Sequence, residues 1–174
     1  PVEPTVRPLT AEDWKFICDV MEGTKLDVPR IRADVARLMY EQAKTQVRDA
    51  VGESLIVAYQ EGWGAGLVGL VASNLAETYE RTVFVWGRTE GGVIKGSCRS
   101  DGTVNVVELM TSVREGVFAG VGGHEEAGGF SVSNDFIHTL EDELVSVYQK
   151  VRKEKEEAQR KTIDLIKEQN TLLE

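Results

Sequence analysis

The chain has 174 residues, 41% hydrophobic and 28% charged, which suits one globular domain, or one domain plus an extended element, and excludes wholesale disorder. A net charge of −9 excludes a protein that coats nucleic acid by bulk electrostatics, because such proteins carry a strongly basic face; any nucleic-acid contact must come from a few placed residues. No apolar run is long enough to span a membrane, Pro1-Val2-Glu3-Pro4 has no signal-peptide character, and Cys18 and Cys98 stand in no metal-ligand spacing, so a cytoplasmic protein with reduced thiols and no zinc site is expected.

In chain order, Thr10-Ala11-Glu12-Asp13 predicts a capped helix start, with a short helix through about Met21. Val28, Ile31, Val35, Leu38 and Met39, at three- and four-residue steps among Arg30, Arg32, Arg37, Lys44 and Arg48, predict a longer amphipathic helix. After Ser54, the branched apolar run Leu55 to Tyr59 predicts a buried strand, followed by a glycine loop from Gly62 to Gly66. Leu67 to Tyr79 reads as a helix apolar on most sides, with Gly69, Ala72 and Ser73 letting it lie close to a sheet. Thr82 to Trp86 and Val93 to Ser100 read as strands paired through a turn at Arg88 to Gly92. Asn105 can cap a helix carrying Val106, Leu109, Met110 and Val113; a second glycine loop, Gly120 to Gly129, precedes a last strand, Phe130 to Val132, and Ser133 or Asn134 opens a long final helix.

The expected fold class is therefore α/β, a mixed sheet of about four to five strands with flanking helices, a helical lead-in and a long C-terminal helix. Residues 1–53 form the helical linker region, 54–148 the domain and 149–174 an extended tail. That tail, rich in Lys, Glu and Gln with sparse Ala158, Ile163, Ile166 and Leu173, is expected to project from Val151 onward and to pair with its own copy or with a partner helix.

Two stretches carry candidate chemistry. Gly96-Ser97-Cys98-Arg99-Ser100 ends a strand, where a guanidinium fork and two hydroxyls can clamp a phosphate; from spacing alone, an exposed strand end with Arg99 in a surface ion pair is the commoner outcome. In Gly122-Gly123-His124-Glu125-Glu126-Ala127-Gly128-Gly129, glycines let backbone N–H groups approach an anion, a following helical turn would add its positive end, and His124 can donate to a phosphate oxygen; a glycine turn with His124 packed or capping is the alternative. Trp63 could stack on a nucleobase, although a lone Trp beside an apolar helix more often fills space. His138 has nothing convergent near it in sequence.

Taken together, Gly62-Trp63-x-x-Gly66-Leu67-Val68-Gly69-Leu70-Val71-Ala72-Ser73, Gly96-Ser97-x-Arg99-Ser100 and Gly122-Gly123-His124-x-x-Ala127-Gly128-Gly129-Phe130 resemble the DHH-associated domain of RecJ-type, single-strand-specific exonucleases, over roughly Ser54 to Tyr148. The preceding arginine-bearing helix resembles the long helix linking the two halves of those enzymes. The resemblance implies that Ser97, Arg99, Ser100, Gly122, Gly123 and His124 face a cleft and hold the phosphates of a single strand, DNA being the expected polymer, with His124 the one candidate catalytic residue. It also implies a role in DNA repair and recombination. The chain departs from many relatives at Gly64, where they have histidine, and at Asn74, where they often have arginine, and both changes remove polar contacts.

The resemblance further implies two divalent metals, manganese or magnesium, in a DHH catalytic half. No Asp-His-His or Asp-x-Asp occurs here and there are only two histidines, so no metal or other cofactor is assigned to this chain, which alone is expected not to cut nucleic acid. Because the first residue is not methionine, the chain is expected to be a fragment, or to work beside a separate catalytic chain. The competing readings are a non-catalytic nucleic-acid or nucleotide-binding module, and part of a DHH phosphodiesterase acting on short oligonucleotides or cyclic dinucleotides.

Overall fold

The computed structural model describes residues 8–23, 28–47, 55–88 and 90–171; the lead-in Pro1–Pro4, Arg48, Ser54 and Leu173, and the side chain of Cys18, lie outside it. In chain order the elements are α1 (Ala11–Gly23), α2 (Val28–Gln46), β1 (Ile56–Glu61), α3 (Ala65–Tyr79), β2 (Val83–Arg88), β3 (Ile94–Arg99), α4 (Val106–Ser112), β4 (Phe118–His124), β5 (Ala127–Val132) and α5 (Leu140–Thr171). The sheet runs β1-β2-β3-β5-β4, with β1 and β2 parallel and every other pair antiparallel. This is the mixed-sheet α/β fold with a helical lead-in and a long C-terminal helix that the sequence predicts.

Local chemistry explains the helix starts. Thr10 and Asp13 cap α1 reciprocally: the Thr10 hydroxyl accepts from the Asp13 amide at 3.2 Å, and the Asp13 carboxylate accepts from the Thr10 amide at 2.8 Å. The Asn105 side-chain Oδ1 accepts from the amides of Val107 and Glu108 at 3.0 and 3.1 Å, satisfying two donors that α4 leaves unpaired. The β2–β3 turn passes through Gly91 and Gly92 with φ of 82° and 77°, a left-handed path that suits glycine.

Each sheet face has its own core. On one face α1, α2 and α3 bury Trp14, Met39, Val71 and Leu75 against Ile56, Ala58, Val83 and Val85. On the other, α4 and α5 bury Leu109, Met110, Leu140, Leu144 and Tyr148 against Phe84, Trp86, Ile94, Cys98 and Phe130. α2 meets the first core through Val35, Ala36, Met39, Ala43 and Val47, while Ile31 and Leu38 remain 40% and 46% exposed. The buried stripe is thus turned from the one expected, because the small Ala36 and Ala43 bring the helix close and shift the seam toward themselves.

Three expectations need correction. Gly120 to Gly129 is not a loop: β4 and β5 form a hairpin around Glu125 and Glu126, with a bulge between Phe118 and Gly120, and pairing to β3 outweighs the poor strand propensity of glycine. Neither Ser133 nor Asn134 opens the last helix. The Ser133 hydroxyl donates to the Gly116 carbonyl, a single 3-10 turn covers Asn134–Phe136, and α5 begins at Leu140. Nor does the tail leave the domain at Val151, which packs on the second core; Lys155 Nζ then donates to the Thr103 carbonyl at 2.9 Å.

The outer edge of β1 is covered by a side chain. Gln46 at the end of α2 donates from its amide to the Tyr59 carbonyl at 2.8 Å, and accepts from the Tyr59 N–H at 2.9 Å.

Candidate functional site

Strand alternation sorts β3 into two sets. Ile94, Gly96 and Cys98 point into the α4/α5 layer; Lys95, Ser97 and Arg99 point to the face on which α3 packs. In-register partners share a face, so three rows cross from β3 over β5 to β4: Arg99, Ala127 and His124; Ser97, Gly129 and Gly122; Lys95, Ser131 and Gly120. α3 packs on β2 and β3, while Gly122, Gly129 and His124 farther along the same face are exposed. A Cβ at Gly120 or Gly122 would meet no atom within 4 Å, and one at Gly129 only the Gly96 carbonyl oxygen at 3.7 Å. The result is an open floor of backbone, walled on one side by α3.

Arg99 is half-buried where wall meets floor. Its Nε donates to the Ser73 hydroxyl at 3.0 Å and its Nη1 to the Cys98 carbonyl at 2.7 Å. Ser73 in turn donates to the Gly69 carbonyl at 3.0 Å, so α3 fixes the guanidinium plane. Gly69 makes the room: a Cβ there would touch Ser97 Oγ at 3.4 Å and Arg99 Nη2 at 3.6 Å. Arg99 makes no ion pair among the described residues, which sets aside the surface-pair alternative. At the start of α3, Arg32 of α2 donates to the Gly66 carbonyl at 3.0 Å, adding a second guanidinium beside the same helix.

Not every expected residue joins this group. Ser100 spends its hydroxyl on the following turn, donating to the Val104 carbonyl and accepting from the Gly102 amide, because the chain must bend there toward α4. Gly122 belongs to the floor, but Gly123 pairs with Gly128 on the other face, where Met110 and Cys98 pack. His124 shares the Arg99 row two strands away, about 10 Å across the sheet. No helix follows it: the Glu125 and Glu126 carbonyls accept from the amides of Val106 and Ser100, so the hairpin turn faces α4 with acceptors rather than donors. Trp63 is 0% exposed, edge-on to Trp14 at 6.3 Å, with its backbone seated over Gly87. It is a core residue, and the base-stacking role is withdrawn.

Lys95, Gly69, Ser73 and Arg32 were missed as site residues. Period-two counting back from Arg99 would have found Lys95, and helical spacing puts Gly66, Gly69 and Ser73 on one face. Burial pushes the Cys98 thiol up to about 12, only partly offset by the Gly128 amide and the Arg99 charge, so it is no nucleophile near neutral pH. Among the described residues no group of three or more His, Cys, Asp or Glu could hold a metal ion, so the residues present do not fit a metal centre. No helix among them is long and apolar enough to cross a membrane.

Fold and site together define an α/β domain with one half-open sheet face. The DHHA1 domain model matches residues 52–167, and the chain belongs to that family, in its RecJ-type form. It is 26% identical over 166 residues to the single-stranded-DNA-specific exonuclease RecJ of Bacillus subtilis, covering 94% of this chain and 21% of that protein. It is 31% identical over 83 residues to the Haemophilus influenzae RecJ, covering 46% of this chain and 14% of that one. The chain thus spans about a fifth or less of these relatives. Among solved structures, a manganese-bound exonuclease RecJ superposes with TM-score 0.59 at 24% identity, over 69% of this chain and 30% of that one. The Mn2+ complex of Thermus thermophilus RecJ gives 0.55 at 26%, over 69% and 18%.

Proposed function

We propose that this chain supplies the surface on which a RecJ-like exonuclease holds a single strand of nucleic acid, DNA in the first instance, while the two divalent metals and the phosphodiester hydrolysis belong to a DHH half outside residues 1–174. In this reading residues 1–53 link the halves, 54–148 bind the strand and the part of the 149–174 tail beyond Lys155 pairs with another helix; the protein serves DNA repair and recombination in the cytoplasm. The carrying observation is the Arg99 guanidinium, fixed by Ser73 and Cys98 beside an open glycine floor. A planar cation on a floor without side chains suits a phosphate backbone that must lie close, and none of these groups is built to read a base edge. Ser97 donates to the same phosphate, and His124 at the far end of the row donates to a phosphate in the cleft.

Arg99→Ala should weaken single-strand binding by about 1 to 3 kcal/mol with little sequence preference, and lower the slope of log affinity against log salt. Fluorescence anisotropy with labelled oligodeoxynucleotides measures both. A variant with wild-type affinity and slope overturns the phosphate clamp.

A further inference from the structure

α2 carries its arginines on different faces. From the buried Ala43, Met39 and Ala36, steps of four, three and four residues lead back to Arg32, so Arg32 continues the stripe that α2 turns toward α3. Arg30 and Arg37 stand on the opposite face, where Arg37 pairs with Asp34. Arg32 has no carboxylate three or four residues away in either direction, and it makes no ion pair among the described residues. One of its five N–H groups goes to the Gly66 carbonyl, and the side chain is exposed.

Arg32 and Arg99 reach the same stretch of α3. Gly66, Gly69 and Ser73 share a face of that helix, with the 47%-exposed Leu70 beside them. A Cβ at Gly66 would meet only Arg32 Nη2 within 4 Å, at 3.5 Å, and one at Gly69 would meet Arg99 Nη2 at 3.6 Å. The two glycines are about 4.5 Å apart along the helix axis, so the two guanidinium forks can hold neighbouring phosphates of one strand. The cavity bordered by Gly66 sets Glu12, Asp19 and Glu61 against Lys15, Arg88 and Lys95, a balance that leaves the two arginines uncompensated. Glu77, one turn beyond Ser73 on the same face, ends the positive stretch on the other side. We infer that a strand held by Arg99 runs over residues 66–69 of α3 toward α2, and that Arg32 binds the phosphate next to the one on Arg99. The inference rests on the strand-surface reading above and deepens it.

The test is anisotropy of the full chain with a labelled oligodeoxythymidylate dodecamer at several salt concentrations. Arg32→Gln removes the charge and keeps a polar side chain; it should weaken binding about tenfold and lower the slope of log affinity against log salt by about 0.7. Arg32→Lys keeps the charge and should keep the slope. Arg37→Gln removes the same charge from the opposite face of α2 and should bind as the wild type does. A wild-type slope in Arg32→Gln, or an equal drop in Arg37→Gln, while Arg99→Ala binds weakly, overturns this inference alone. So does an equal loss in Arg32→Gln and Arg32→Lys accompanied by lower melting, which would make Arg32 a strut between α2 and α3. Failure of the wild type to bind, or wild-type affinity and slope in Arg99→Ala, counts against the strand-surface reading itself.

Discussion

Gly96 and Gly129 are diagonal neighbours across the β3–β5 ladder, yet they face opposite sides of the sheet, and adding one methyl group to each should have opposite consequences. At Gly96 a Cβ would stand 2.2 Å from Phe130 Cζ and 2.7 Å from the Val85 carbonyl oxygen. Carbon atoms in good contact are about 3.5–4.0 Å apart, so the ring would have to retreat by roughly 1.3 Å or more, and the Val85 backbone is fixed by pairing on both sides. Phe130 cannot retreat freely either, because its ring is hemmed by Phe84 and Phe118 at centroid distances of 5.6 and 5.4 Å. Overpacking a core costs about 1–3 kcal/mol, and with a backbone oxygen involved the upper end applies, about 3 kcal/mol. For a chain of this length that lowers the melting temperature by about 6–12 °C. At Gly129 the nearest atom is 3.7 Å away, so Gly129→Ala should melt within about 2 °C of wild type, while its methyl group stands on the floor and weakens oligonucleotide binding. Thermal melts followed by circular dichroism, with anisotropy on the same samples, separate the two. Wild-type melting of Gly96→Ala, or an equal loss of stability in Gly129→Ala, would refute the assignment of faces.

Cys98, buried and with its thiol pushed up to about 12, should stay unmodified by thiol reagents at pH 8 until the protein unfolds; peptide mapping that finds it labelled in the native state contradicts the burial. Burial pushes the Asp101 carboxyl up, but hydrogen bonds from the Thr103 hydroxyl and amide and the Thr82 hydroxyl outweigh it and hold the group below its ordinary 3.8. Its stabilisation is therefore present above the unfolded value and lost as pH falls through the lowered folded value, so Asp101→Asn should flatten the acid limb of a stability–pH profile; an unchanged limb removes Asp101 from that balance. Removing residues 157–174 should leave melting unchanged, whereas removing 151–174 deletes Val151 packing and the Lys155 contact with the Thr103 carbonyl and should cost about 1–2 kcal/mol. Equal melting of the two truncations would mean that α5 is held by its residues before Val151, Leu140, Leu144 and Tyr148 among them.

Much of the fold was legible because periodicity and capping are local. The alternation in β3, the Asn105 cap and the Thr10–Asp13 box each depend on residues within a few positions, and each forms where the sequence places it. β4 was not legible: Phe118–His124 holds three glycines and almost no buried side chain, so its strand character comes from β5 and not from its own residues. Within the site, Arg99 and Ser97 stand out as side chains in a strand-end motif, whereas Ser73 supports Arg99 from 26 residues away, across two elements. The roles of Ser100 and Trp63 turned on burial and on competing local bonds, which a motif does not encode. Ser100 sits in the right pattern but serves a turn, and Trp63 sits in a glycine-rich stretch but faces inward against Trp14.

The Gln46 amide on the Tyr59 backbone imitates the peptide group of a neighbouring strand at the middle of the β1 edge. A sheet with both rims unoccupied can recruit copies of itself in two directions and polymerise, which is how edge strands become aggregation hazards. Here the middle of the β1 rim, at Tyr59, is occupied by a side chain from the same molecule, while β4 forms the opposite rim. A strand adding to β1 would have to displace the Gln46 amide from both Tyr59 backbone groups first, so a single glutamine raises the cost of strand addition at that rim.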